Sequence, residues 1–148
     1  MKNILYIILF LCIPYSQTIV EGEVSGTWTA DGNPYLVLSS INLVGSLTLE
    51  PGVEVEINPG SIGIYANGHP IYALGTVENR ISISGNIWDG IYLSGAQNSI
   101  FNYCDISGAN RNVEIYGASI TMDNCNIFEA SEYGLYFSKN PHKMMYSK

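Results

Sequence analysis

The sequence predicts an all-β protein in which short strands coil into a parallel β-helix, a solenoid with rungs of about 22 residues. Three observations carry this. Only 13% of the residues are charged, while 15 are glycine and 11 tyrosine, a balance that suits strands joined by tight turns better than helices rich in Glu, Lys, Ala and Leu. Apolar and polar residues alternate over short runs, as in Val53-Glu54-Val55-Glu56-Ile57 and Ile81-Ser82-Ile83, and turn pairs such as Pro51-Gly52, Asn67-Gly68 and Ser107-Gly108 punctuate them. The chain also superposes on itself: Ile91, Val113 and Leu135 recur every 22 residues, as do Leu93, Ile115 and Phe137, and Tyr103-Cys104-Asp105-Ile106 matches Asn124-Cys125-Asn126-Ile127 at an offset of 21.

A rung this thin cannot bury its own apolar face, so it must stack on its neighbours. Equivalent residues then lie about 4.8 Å apart in parallel ladders. Ile91, Val113 and Leu135 form one inward column, Leu93, Ile115 and Phe137 a second, and Cys104 over Cys125 with Ile106 over Ile127 a third. A leucine-rich repeat of similar period is excluded because the L-x-x-L-x-L-x-x-N frame is absent. At 148 residues the chain makes one folding unit.

In chain order, residues 1–18 read as an export signal: Lys2 supplies a positive start, residues 4–13 are apolar, and Pro14-Tyr15-Ser16 interrupts the run. That run is too short to span a bilayer. The expected destination is secretion or the cell surface. Cys12 follows Leu11 rather than a small residue, which argues against lipidation and leaves Cys104 and Cys125 in the mature chain. Residues 19–52 are expected to hold an N-terminal cap and the first strands, residues 53–140 the rungs, and residues 141–148 a tail. Tyr133 to Phe137 open a new rung and no amphipathic capping helix is legible after them, so further rungs are expected to be missing at this end.

Gly26-Thr27-Trp28-Thr29, Asn33-Pro34-Tyr35-Leu36-Val37, Leu47-Thr48-Leu49-Glu50-Pro51-Gly52-Val53, Ala73-Leu74-Gly75-Thr76 and Trp88-Asp89-Gly90-Ile91 together resemble the opening of bacterial secreted right-handed β-helix repeat proteins of the pectin-lyase-like superfamily. The resemblance spans roughly residues 24–137 and implies a right-handed coil. It implies no single activity, because that superfamily holds lyases, glycosidases and surface proteins alike. Arg80 departs from it, standing where proline often precedes the strand.

The formal charge of −7 gives a phosphate backbone little to bind, so nucleic acid is excluded as a partner, and anionic lipid is disfavoured. The best ligand-binding candidates are Tyr92, Glu114 and Tyr136, which alternation places on one outward column where they could contact a sugar or another surface protein. Exposed tyrosines are also ordinary strand formers. No catalytic residues are assigned. Asp89 aligns with Arg111, so the carboxylates of Asp89 and Glu114 start on the order of 10 Å apart, marginal for a glycosidase pair. Arg80 and Arg111 are the available bases for a lyase, and no acidic cluster is legible around either. His69 and His142 lack partners at metal spacing, so neither metal nor cofactor is expected. Parallel stacked cysteines seldom meet disulfide torsions, so Cys104 and Cys125 are expected to be reduced. Trp28 and Trp88 read as packing anchors. Two functions stay open: an exported scaffold, or the N-terminal part of a polysaccharide lyase or glycoside hydrolase.

Overall fold

The computed structural model describes residues 17–138. Its strands are β1 (Thr18–Trp28), β2 (Tyr35–Leu49), β3 (Glu54–Ile57), β4 (Gly63–Tyr65), β5 (Ile71–Leu74), β6 (Ile81–Ser94), β7 (Ser99–Asn102), β8 (Cys104–Tyr116), β9 (Ile120–Asp123), β10 (Asn126–Phe128) and β11 (Tyr133–Ser138), with one 3-10 turn at Ala30–Gly32. All the pairings are parallel, and they wind about five turns of a β-solenoid with the expected spacing. β1 and β2 together span Thr18 to Leu49 and pair with each other from Thr18↔Tyr35 to Trp28↔Leu49, with register shifts after Val20 and Val24.

Each turn presents three faces. The first carries the starts of β1, β2, β6 and β8 together with β3 and β10. On the second lie the later parts of the long strands with β4 and β11. The third carries the ends of β1 and β2 with β5, β7 and β9.

The core is a set of inward columns, one residue per rung. Tyr35, Val55, Ile83 and Ile106 stack on the first face, Ile41, Ile64, Ile91 and Val113 on the second, and Leu49, Ala73 and Phe101 on the third. Small Ala73 between two large residues keeps that last column in line, since interiors pack at nearly constant density. Leu135 and Phe137 continue the second-face columns and stay 39% and 62% exposed. Among the described residues β8 is the one strand that pairs β11.

The tryptophans anchor corners. Trp88 is fully buried, with its indole Nε1 donating to the Ser107 carbonyl at 2.9 Å. Trp28 stacks flat on Tyr35 at 4.5 Å between ring centres. Such pairs add to the area they bury.

One alignment from the sequence is corrected by the structure. Asp89 does not face Arg111; Gly90 does, and the register then slips so that Ile91 pairs with Val113. The extra residue is Asn112, fully buried in a bulge. Its Oδ1 accepts from the Ala109 amide at 2.9 Å and its Nδ2 donates to the Phe128 carbonyl at 2.8 Å. Those bonds make a buried amide tolerable, and Asp89 falls opposite Asn110.

Ile87 adopts φ +56 at the neighbouring corner while 62% exposed. A β-branched residue in the left-handed region stores strain of about 1–3 kcal/mol. Ile87→Gly is therefore expected to stabilise the fold by about 1 kcal/mol despite the flexibility it adds to the unfolded chain. Urea denaturation measures this, and a loss of stability would show that Ile87 packs more than its exposure indicates.

Candidate functional site

The candidate surface is the outward side of the second face. Strand alternation turns every second residue of β2, β4, β6, β8 and β11 away from the core, and the parallel register places them in one line. That line runs Glu23, Asn42, Tyr65, Tyr92, Glu114, Tyr136. Tyr92, Glu114 and Tyr136 thus lie on adjacent rungs as the spacing predicts. Sequence reasoning missed Tyr65 and Asn42, because the β4 rung is longer and sits off the 22-residue period. A signal was present: Gly63-Ile64-Tyr65 repeats as Gly90-Ile91-Tyr92.

The tyrosines use their ring faces on one another. Tyr65 and Tyr92 stack at 4.9 Å with planes 14° apart, and Tyr133 and Tyr136 meet at 5.2 Å, tilted by 33°. The guanidinium of Arg111 lies 4.8 Å above the ring centre of Tyr136, a cation–π contact. A sugar laid over this column meets ring edges and hydroxyls more than open aromatic faces. Beside Tyr65, the Asn67 amide donates to Asn42 Oδ1 at 3.1 Å.

Arg111 organises the lower half of the column. Its Nη1 contacts Glu114 Oε2 at 3.0 Å and its Nε contacts Glu132 Oε2 at 2.9 Å. Hydrogen bonding to Glu114 and then to Glu132 pushes the guanidinium further up, so it stays cationic. Burial, and after it the negative charge of Asp89, raises the phenols of Tyr65 and Tyr92. Both remain hydrogen-bond donors at neutral pH.

A second ionic cluster sits where the third face turns into the first. Arg80 grips Asp105 with two bonds of 2.8 Å, and its Nη2 also donates to the carbonyls of Cys104 at 3.2 Å and Asn124 at 3.0 Å. Asn126 Nδ2 donates to the same carboxylate at 2.6 Å. Arg80 first, and Asn126 after it, hold the Asp105 carboxyl below its ordinary range. This clasp ties successive rungs together, and it gives Arg80 a role where the resemblance leads one to expect proline.

No acidic cluster is legible around either arginine in the sequence, and the structure supplies one carboxylate to Arg80 and two to Arg111. Asp105 follows Arg80 by 25 residues and Glu132 follows Arg111 by 21, so these two partners come from the next rung and are invisible to a local scan, whereas Glu114 lies three residues from Arg111. A guanidinium locked to carboxylates is a poor base. Cys104 and Cys125 are free thiols. Among the described residues no three His, Cys, Asp or Glu side chains gather as metal ligands, and no helix is long and apolar enough to cross a membrane. His142 and the expected signal segment lie outside the described residues.

A family model described as a right handed beta helix region matches residues 45–147 of the chain. No curated protein and no solved structure matches it.

Proposed function

Because the chain belongs to the right-handed β-helix family, we propose that it is an exported, non-catalytic scaffold whose second face contacts carbohydrate or another surface protein. The observation that carries this reading is the unbroken outward line from Asn42 through Tyr65, Tyr92 and Glu114 to Tyr136. A row of phenol donors interrupted by one ion-paired carboxylate offers a ligand repeated hydrogen bonds at rung spacing. The stacking fixes those side chains beforehand, so little rotamer freedom is lost on contact. Catalysis finds no support in the same geometry, since Glu114 is held by Arg111 and both rung arginines stay cationic.

The test is binding together with turnover. The exported protein is incubated with a panel of pectins and other plant or algal polysaccharides, and with detergent-extracted surface proteins from the source cells. The expected result is retention on one ligand class, weakened about 10-fold or more by Tyr92→Ala, with neither lyase absorbance nor new reducing ends. Turnover that disappears in Glu114→Ala or Asp89→Ala would sink the scaffold reading in favour of a polysaccharide-active enzyme. Retention unchanged in Tyr92→Ala and Tyr65→Ala would remove the second face as the contact surface.

A further inference from the structure

We propose that Cys104 and Cys125 form a two-coordinate site for a soft monovalent metal ion of the Cu(I) or Ag(I) type, bridging adjacent rungs. The pair is placed by two equivalent corners. Tyr103 at φ +49 and Asn124 at φ +52 turn the chain from the third face into the first, and each is followed at once by a cysteine. The following residues pair in register, Asn126 with Asp105 and Ile127 with Ile106, which sets Cys125 over Cys104. Their thiols have matching surroundings. Cys104 Sγ lies 3.3 Å from the Asn102 carbonyl and 3.9 Å from that of Ala73, and Cys125 Sγ lies 3.4 Å from the Asp123 carbonyl and 3.2 Å from that of Phe101.

The spacing selects the ligand. Stacked positions on neighbouring parallel rungs lie about 4.8 Å apart. Two metal–sulfur bonds of about 2.3 Å laid in line span about 4.6 Å. A disulfide needs its sulfurs about 2.05 Å apart, so both side chains would have to leave their carbonyl acceptors. Zinc takes four donors in a tetrahedron, whereas this column offers two thiols and, among the described residues, no gathered set of further ligands. Soft d10 ions accept two thiolates in a line and favour sulfur over oxygen.

Loading breaks two S–H bonds and forms two metal–sulfur bonds, releasing two protons to solvent with no change of oxidation state. The bound dithiolate carries one net negative charge. Arg80, whose guanidinium donates to the carbonyls of Cys104 and Asn124, stands at the same corner with its partner Asp105, and solvent at Cys125 screens the remaining charge. Cys104 is fully buried, while Cys125 is partly exposed and gives the ion its way in. Burial, and the adjacent Cys125, push the Cys104 thiol up, so it remains a thiol until an ion displaces its proton.

The experiment titrates the reduced full chain anaerobically with Cu(I), and separately with Ag(I), against a chromophoric Cu(I) chelator and a thiol competitor. One ion per chain is expected, with a rise in melting temperature and a two-sulfur shell in X-ray absorption. Cys104→Ser and Cys125→Ser should each weaken binding on the order of 10²–10⁴-fold, because either one removes the intramolecular second ligand. Cys12→Ser should leave it unchanged, and Zn(II) should neither compete nor stabilise. Circular dichroism of the serine variants checks their folding, and Cys125→Ala, at the more exposed position, keeps the test usable if Cys104→Ser unfolds. Two ions per chain, binding that survives loss of either rung cysteine, or a shell completed by nitrogen or oxygen would each overturn the proposal.

Discussion

Ile115→Asp is expected to unfold the domain at neutral pH. Ile115 is buried on β8, between Leu93 of β6 and Phe137 of β11, and no basic side chain shares that column. The substitution removes an aliphatic side chain worth about 2–5 kcal/mol by truncation and adds an unpaired carboxylate, for a combined cost on the order of 5 kcal/mol or more. That approaches the whole stability of an ordinary domain, about 5–15 kcal/mol.

The pH dependence of this variant is also fixed in sign. Burial raises the new carboxyl above its unfolded value of about 3.9, so the folded state holds the proton to higher pH than the unfolded one. The stability deficit is then smallest below about pH 4 and grows as the pH rises. Circular dichroism melts at low and neutral pH measure it, with Ile115→Val, expected to cost about 0.5–1.5 kcal/mol, as the shape control. A variant melting like the parent would mean that Ile115 does not face the core. One residue earlier the chain already carries Glu114, ion-paired on the outer side. A register slip of a single residue would exchange these two environments.

Much of this arrangement is legible in the sequence. Period-two alternation fixes which side chains point inward, and the repeat fixes which of them stack. The columns of Ile91 with Val113 and Leu135, and of Ile106 with Ile127, follow from those two facts. Three things were not legible. The bulge at Asn112 hides because a single inserted residue resets the register without altering the strand pattern, and nothing local marks that asparagine as buried. Asp105 beside Arg80 and Glu132 beside Arg111 hide because contacts between rungs connect residues more than twenty positions apart. The upper half of the tyrosine line hides because the longer β4 rung breaks the period that revealed the lower half.

The bulge also explains the second large expected effect, that of Gly90→Ala. Gly90 has φ +131, a conformation open to glycine and strained for any L side chain. A Cβ built there would overlap the carbonyl oxygen of Arg111 on the next rung. The obstacle is backbone rather than a movable side chain, so relief requires the rungs of β6 and β8 to separate where the register slips around Asn112. Separation breaks ladder hydrogen bonds between β6 and β8, leaving buried backbone groups unsatisfied. The expected loss is on the order of 3–5 kcal/mol. Gly68→Ala, at φ +85 with open space around it, carries only the backbone strain and should cost about 1–2 kcal/mol. Chemical denaturation of the two variants therefore separates conformational strain from collision. Equal losses would mean that the rungs can part at Gly90 at little cost, and that the slip beside Asn112 is a soft point in the coil rather than a fixed joint.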